Sequence, residues 1–292
     1  MAGSLGVPRA RGLAAFLARA VQTRGAGFGL VVVAAVLLVA VGADLIAPYN
    51  PNQPQGAGVL AAPGFPHWLG TDQLGRDVLS RIIYGTRTSV QAGVVSVGFA
   101  MFVGGSIGLL AGYYGGWMDD VLTLVVDALW SFPTLVLALA VAASLGPGLT
   151  NAMLAIGIVF TPVFARLVRG QTLSVRERDF VMAARAIGAR PGRIMLRHIW
   201  PNVTAPIIVQ TSLLVASAIV VEAALSFLGL GIEPPTSSWG SMLKVGYQYM
   251  QQAPWLSFAP GVAIFVTVLA FNLLGDGLRR ALDPRLWQQG QS

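Results

Sequence analysis

Apolar residues are gathered into long stretches along this chain instead of alternating with polar ones. A helix needs about 20 mainly apolar residues to cross the hydrocarbon core of a bilayer, which is about 30 Å thick. The pattern therefore predicts six transmembrane helices, at residues 27–47, 90–112, 121–145, 149–168, 203–225 and 256–278. Pro133 and Pro162 lie inside the third and fourth stretches and predict kinks there. The expected fold class is all-α, a polytopic membrane protein.

The segments between the predicted spans divide the chain. Residues 48–66 are rich in Pro, Gly, Asn and Gln, which is typical of an irregular loop. Apolar residues then recur at helical spacing within residues 67–85, which predicts a short helix at the membrane surface, either a packed connector or a contact for a docking partner. The resulting division is a cytoplasmic tail (1–26), a first transmembrane helix (27–47), an external loop with an interfacial helix (48–89), a five-helix core (90–278) that includes a cytoplasmic loop (171–202), and a cytoplasmic C-terminal tail (279–292).

Composition and charge place the chain in a membrane. Hydrophobic residues make up 55% of the 292 residues and charged residues only 11%, too few to coat a soluble globule of this size. The net charge of +7 suggests nucleic acid, but the basic residues follow the predicted spans. With both termini cytoplasmic, fifteen of the nineteen Lys and Arg lie inside, as the positive-inside rule expects. The first apolar stretch is longer than the roughly 7–15 residues of a signal-peptide core, so we interpret it as an uncleaved span.

The cytoplasmic loop has the pattern of two helices. Ser174 and Glu177 form an S-x-x-E capping box, so a helix is expected to begin there and to end at Gly188. Pro191 is expected to begin a second short helix that ends at Pro201.

The first loop helix has a small apolar face, formed by Phe180, Ala183, Ala184 and Ile187, with the charged Asp179 outside it. Eight arginines lie between residues 166 and 197. A loop of about 30 residues is longer than a connection between spans requires. Two interpretations stay open: the face and the arginines form a docking site for a partner protein, or the helices lie on anionic headgroups, where each basic residue contributes about 1 kcal/mol.

The chain has few residues suited to catalysis. It contains no cysteine, and its one lysine, Lys244, is followed by Val245, so it has no Lys-Ser/Thr pair of a phosphate-binding loop. Its two histidines, His67 and His198, are expected on opposite sides of the membrane. We therefore expect no catalytic, metal or cofactor site.

Three acidic residues lie inside or close to the predicted spans. They are Glu222, expected near the external end of its span, Asp276, expected near the internal end of its own, and Asp127. Glu222 and Asp276 are expected to reach the interface. Asp127 lies deeper by the predicted bounds, and a position near the inner surface stays open as the alternative. Ionisable groups in a membrane are candidates for function. For Asp127 and Glu222 the alternatives are structural pairing with an arginine or helix end, or contact with a substrate.

The loop resembles the EAA loop of binding-protein-dependent transport permeases. The matching run is Met-Ala-Ala-Arg-Ala-Ile-Gly at residues 182–188 followed by Trp200-Pro201, with Met182 in place of the leading Glu. Four further blocks resemble the C-type permease of dipeptide, oligopeptide and nickel importers: LGTDQLGRDVLSR, GYYGGWMDDVL, EAALSFLGLGIEPP and NLLGDGLRRALDPR. Their order and spacing cover nearly the whole chain.

This resemblance implies a permease subunit in a bacterial inner membrane, importing di- or oligopeptides or similar small solutes. The implied partners are a homologous B-type permease, two cytoplasmic ATP-binding subunits that hydrolyse the ATP, an extracytoplasmic solute-binding protein and the lipid bilayer, but no nucleic acid. Coupling to the ATPase is implied for Ser174, Glu177, Asp179, Phe180, Ala183, Ala184, Arg185, Ile187, Gly188 and Pro201.

Two other functions are weighed on the residues themselves. A secondary transporter driven by a proton gradient would work through Asp127 and Glu222. A membrane-anchored helix-turn-helix DNA binder would use residues 174–201, but the second helix has no Asn or Gln to read bases.

Overall fold

The computed structural model describes residues 24–56 and 58–282. Within these ranges the chain is helical, with one isolated antiparallel bridge between Thr71 and Asp77. Most of the predicted cytoplasmic tails lies outside the described residues. The helices, in chain order, are α1 (Arg24–Val41), α2 (Ala43–Ile46), α3 (Val78–Tyr114), α4 (Gly116–Trp130), α5 (Thr134–Leu145), α6 (Leu149–Arg176), α7 (Asp179–Ala186), α8 (Pro191–Ile194), α9 (Trp200–Leu228), α10 (Trp239–Gln248) and α11 (Trp255–Leu282).

Four helical stretches are long and apolar enough to cross a membrane by themselves: α3, α6, α11 and the run Pro191–Leu228, which joins α8 to α9. α4 and α5 supply a fifth if the two, bent by 94°, count as one broken span. α1 is apolar but ends at Val41, whereas the first predicted span extends to Ala47. The described residues therefore contain four or five candidate spans, and the predicted number of six is not confirmed.

The third predicted span is two helices, not one kinked helix. α4 ends at Trp130, and Pro133 immediately precedes α5. Proline has no N–H to donate, and it forces the residue before it out of the helical conformation, so a helix commonly ends there. Pro162, by contrast, lies within an uninterrupted α6.

Of residues 67–85, in which an interfacial helix is predicted, only 78–85 are helical, and they form the first turns of α3. This helix begins after Asp77, whose carboxylate accepts the Ser80 N–H at 2.7 Å, and it continues for 37 residues. Gly85 does not end it; the Trp239 side chain packs against this glycine, where a Cβ would lie 3.2 Å from Trp239 Cδ1. The prediction of a separate surface helix is wrong, since α3 contains no proline and can continue without losing a hydrogen bond.

α3 and α6 form the most extensive helix pair in the described fold. Gly104, Gly108 and Gly112 lie four residues apart on α3 and bring its backbone against α6. A Cβ on Gly112 would lie 2.8 Å from the Thr172 Cβ, and a Cβ on Gly108 would collide with the Ala165 carbonyl oxygen. The buried apolar core extends from this pair to α5 and α9.

α10 is a helix that the hydrophobic pattern does not predict. It starts with a capping box in which the Ser238 hydroxyl accepts the Ser241 N–H at 3.2 Å and the Ser241 hydroxyl accepts the Ser238 N–H at 3.0 Å. α10 packs against α9 and α11. With ten residues it is too short to cross a bilayer.

Replacing Gly108 by leucine is expected to push α3 away from α6, because the side chain has no space beside the Ala165 and Arg169 backbone. Overpacking of this kind costs roughly 1–3 kcal/mol, so the thermal unfolding midpoint of the detergent-solubilised protein should fall. The control is Gly98→Leu on the same helix, where a Cβ meets nothing within 4 Å. An equal fall in both variants would contradict the close contact.

Candidate functional site

The first loop helix begins later than the sequence predicts. α6 continues to Arg176, and Glu177 is its C-cap residue. Arg178 is extended (φ −78°, ψ 147°), and α7 starts at Asp179. The predicted capping box is therefore wrong: Ser174 lies inside α6, and the Glu177 carboxylate accepts a hydrogen bond from Arg176 Nε at 2.8 Å.

Packing explains why α6 passes its predicted boundary. Thr172 and Val175, on either side of Ser174, are buried, with 0% and 3% of their surface exposed. Burying a valine side chain stabilises a fold by about 1.5–3 kcal/mol, whereas an N-cap contributes about 1 kcal/mol. The tertiary contacts therefore outweigh the local capping preference.

α7 has one face on the protein and one face open. Val181 and Ala184 are buried against the rest of the fold. Phe180, Ala183 and Ile187 are exposed, Ile187 with 85% of its surface. The predicted apolar face is thus divided, with Ala184 inside and the other three outside. We call Phe180, Ala183 and Ile187 the outer face of α7.

Gly188 closes α7 in a Schellman motif. Its φ is +79°, the Gly188 N–H donates to the Arg185 carbonyl at 2.9 Å, and the Ala189 N–H donates to the Ala184 carbonyl at 3.0 Å. A Cβ on Gly188 would meet nothing within 4 Å, so the position requires glycine for its conformation and not for space. The predicted helix end at Gly188 is confirmed.

The second loop helix does not end at Pro201. α8 continues through the π-helical turn Met195–Ile199 into α9, and the Trp200 N–H donates to the Met195 carbonyl, five residues earlier. A proline ring normally clashes with the carbonyl four residues before it. The wider π-helical turn relieves that clash, so the helix passes Pro201 without a break.

Two arginines connect this loop to the end of α3. Arg176 Nη1 donates to the Gly112 carbonyl at 2.8 Å. The Arg185 guanidinium lies 5.3 Å from the centroid of the Tyr113 ring, a cation–π contact. α7 is therefore in contact with α3 as well as with α6.

α4 is joined to α6 by two ion pairs. Asp119 accepts hydrogen bonds from Arg169 Nε and Nη2 at 2.6 and 2.7 Å, a two-point pair. Asp127 accepts one from Arg166 Nη2 at 2.7 Å, and the Arg166 guanidinium lies 4.5 Å above the Trp130 ring. Asp127 and both arginines line a cavity of about 370 Å³ between α3, α4 and α6. The structure thus places Asp127 beside an arginine.

Glu222 is fully buried, with 0% of its surface exposed. Ser89 Oγ donates to one carboxyl oxygen at 3.2 Å and Ser226 Oγ to the other at 2.7 Å. The same two hydroxyls accept the backbone N–H groups of Trp239 and Ile232, each at 3.3 Å. The prediction that Glu222 reaches the interface is wrong, because α10 and the turn before it cover this end of α9.

The segment before α3 contains a buried polar cluster that the sequence pattern does not reveal. Asp72 accepts a hydrogen bond from Arg76 Nε at 2.7 Å, and Arg81 Nε lies 3.5 Å from the same carboxylate. His67 Nδ1 lies 2.9 Å from Asp77 Oδ1. Asp72 and Arg76 are four residues apart, a spacing that could have indicated the pair. This cluster holds the segment before α3 on the first turn of that helix.

In the part of the chain that the structure describes, no group of three or more His, Cys, Asp or Glu side chains is arranged to hold a metal ion.

Known families and curated proteins resemble this chain over most of its length. Residues 104–288 match the family described as "Binding-protein-dependent transport system inner membrane component", and residues 14–63 match "N-terminal TM domain of oligopeptide transport permease C". The chain is 46% identical to the dipeptide transport system permease protein DppC of Alkalihalophilus pseudofirmus, over 88% of this chain and 85% of that protein. It is 49% identical to the glutathione transport system permease protein GsiD of Pectobacterium atrosepticum, over 77% and 74% of the two chains. It is 43% identical to DppC of Haemophilus influenzae, over 91% and 92%.

Solved structures show a related fold. Two inward-facing crystal forms of the MetNI methionine ABC transporter superpose with TM-scores of 0.57 and 0.55, each at 19% identity. The first superposition covers 70% of this chain and 97% of the chain compared, the second 69% and 95%. At this identity the likeness concerns the fold.

Gly188→Val is expected to loosen the end of α7, because a left-handed backbone costs a residue with a Cβ roughly 1–2 kcal/mol. Amide hydrogen exchange at Ala189, whose N–H closes the motif, should then be faster by about tenfold. Gly188→Asn is the matched control, since asparagine tolerates this conformation. Equal exchange rates in the two variants would show that the conformation of residue 188 does not stabilise the helix end.

Proposed function

Because this chain belongs to the family of binding-protein-dependent transport system inner membrane components, we propose that it is a permease subunit of an ATP-driven importer for short peptides or similar small solutes. The dipeptide and glutathione permeases with 43–49% identity support a di- or oligopeptide as the solute. In this proposal the chain forms half of the translocation pathway, and a homologous B-type permease forms the other half.

The observation that carries this proposal is the outer face of α7. Three apolar side chains are exposed on a short helix that is fixed by Val181 and Ala184 on its other side. A mobile loop could not transmit force, but a helix packed in this way can. We propose that a cytoplasmic ATP-binding subunit binds the outer face and moves α7.

The connections of α7 to its neighbouring helices would transmit its movement to the spans. α7 follows directly after α6, and the run Pro191–Leu228 joins the far side of the loop to α9 as one helical stretch of 38 residues, about 57 Å at 1.5 Å per residue. Arg176 and Arg185 add the contacts with α3. Closing of two ATP-binding subunits would shift these helices together and alternate the pathway between its two openings.

The proposed partners are inferred from a nucleotide-binding motif that the sequence lacks and from the exposed surfaces of the chain. Its sequence has no phosphate-binding loop, so we assign ATP hydrolysis to the two cytoplasmic subunits. An extracytoplasmic solute-binding protein would deliver the solute at the opposite side. We propose structural roles for Asp127 and Glu222, since Asp127 is paired with Arg166 and Glu222 is hydrogen-bonded and buried. These contacts favour a passive pathway over a proton relay.

The proposed location is a bacterial inner membrane, with α7 and both termini in the cytoplasm. The arginines around α7 and at the end of α11 support this orientation through the positive-inside rule.

Ala183→Trp is expected to uncouple the transporter, because an indole on the exposed outer face keeps the ATP-binding subunit away without disturbing the core. Losing about 1.4 kcal/mol of contact would weaken binding roughly tenfold. The measurement is ATP-dependent dipeptide uptake by proteoliposomes that contain the complete transporter. Gly192→Trp places the same ring at another exposed position of the loop, where a Cβ meets nothing within 4 Å, and should transport normally. Normal uptake by Ala183→Trp would count against the outer face as the docking site.

The orientation can be tested by labelling, because the chain has no cysteine and a single introduced one is unique. Gly192→Cys, on the loop but outside the proposed docking face, is expected to react with a membrane-impermeant maleimide in inside-out vesicles and not in intact spheroplasts. Phe65→Cys, on the external segment and 88% exposed, should give the opposite result. Reaction of Gly192→Cys from the outside would overturn the proposed topology.

A further inference from the structure

The helix that leads from the loop into α9 carries three arginines on its outward side. Arg190, Arg193 and Arg197 are exposed, and Leu196 between them is 68% exposed. The opposite side of this helix is buried through Ile194, Met195 and Ile199. We call Arg190, Arg193 and Arg197 the arginine stripe.

The arginine stripe differs from the other arginines near α6. The side chains of Arg166 and Arg169 pair with aspartates, and that of Arg176 pairs with Glu177. Within residues 24–56 and 58–282, no side chain of the stripe forms an ion pair, a hydrogen bond or a ring contact. Three positive charges are therefore free to bind an anion.

The position of the stripe along its helix brings it to the membrane surface. Trp200, half-buried against Gly105, begins α9, and tryptophan favours the boundary between hydrocarbon and headgroups. At 1.5 Å per residue, Arg197 lies about 5 Å and Arg193 about 10 Å below it along the helix. The headgroup layer of one leaflet is about 5–8 Å thick, and arginine side chains extend towards it. The guanidinium groups can thus reach phosphates of the inner leaflet.

From this geometry we propose that the arginine stripe is a binding site for anionic phospholipids of the inner leaflet. Guanidinium groups form two-point hydrogen bonds with phosphate, and Leu196 offers apolar contact to the glycerol and upper acyl chain. The inference rests on the proposed orientation, with α7 in the cytoplasm. It assigns different partners to the two parts of the loop: the outer face of α7 binds protein, and the stripe binds lipid.

The two surfaces differ in chemistry, which favours this division. The outer face of α7 is apolar and precedes Gly188, where the chain turns. The stripe is cationic, and it lies on the same helical run as a membrane span. Anchoring the stripe to headgroups would keep the inner end of α9 at the membrane surface while α7 and α9 shift together along the plane of the membrane.

The test uses the complete transporter, purified in a neutral detergent and titrated with fluorescent phosphatidylglycerol, with fluorescent phosphatidylcholine as the neutral reference. At about 1 kcal/mol for each arginine, the double variant R193Q/R197Q should bind phosphatidylglycerol roughly 30-fold more weakly. Binding of phosphatidylcholine should not change. High salt should weaken phosphatidylglycerol binding by the unmodified protein more than by the variant.

The matched control is R279Q/R280Q, which removes two exposed arginines at the last turn of α11, close in sequence to the exposed Asp276. This variant should keep its affinity for phosphatidylglycerol. An equal loss in both variants would overturn the proposal in favour of general surface charge. Unchanged lipid affinity of R193Q/R197Q would also overturn it, and loss of the ATP-binding subunits on purification would then assign the stripe to that interface. Failure of the proposed orientation would instead be seen in the cysteine labelling.

Discussion

The backbone contact between α3 and α6 is the constraint on which the rest of this fold depends. Helices in lipid gain little from the hydrophobic effect when they associate, so they rely on close van der Waals packing. Gly104, Gly108 and Gly112 permit that packing, since side chains at these positions would meet α6 itself. Two of the longest helices are fixed in this way. α4 is joined to this pair through Asp119 and Asp127. α7 follows at the C-terminal end of α6.

The loop around α7 is held to the rest of the fold by packing and by a closed helix end. α7 is short, but it is held on one side by Val181 and Ala184 and closed by Gly188. The helix on the far side of the loop continues into α9 through a π-helical turn instead of ending at Pro201. α7 is therefore connected to long helices on both sides, α6 before it and the run Pro191–Leu228 after it.

The acidic groups near the spans are paired or hydrogen-bonded, because an unpartnered charge in a low-dielectric environment is costly. Asp119 and Asp127 meet arginines of α6, and Glu222 accepts two serine hydroxyls. The serines in turn accept backbone N–H groups from the turn after α9 and from the start of α10. Glu222 thus connects α3, α9 and α10, whereas the arginines of α6 connect that helix to α3 and α4. In both arrangements the few polar and charged side chains near the spans connect one helix to another.

The sequence by itself determined the features that depend on composition and on local conformation. Long apolar stretches established an all-α membrane protein, and the EAA-like run with its four companion blocks indicated the permease family that the comparisons support. The end of α7 at Gly188 was predictable because a left-handed residue after a helix strongly favours glycine. Such signals depend on a few neighbouring residues.

Only the tertiary structure decided where helices continue, break or turn a face inward. Ser174 has the local signature of a helix start, but burial of its neighbours Thr172 and Val175 keeps α6 helical. α3 continues through Gly85, against which Trp239, distant in sequence, packs. Glu222 is buried because α10 covers it. These outcomes depend on contacts between residues far apart in the chain, whose energies exceed the roughly 1 kcal/mol of a local cap and have no periodic signature.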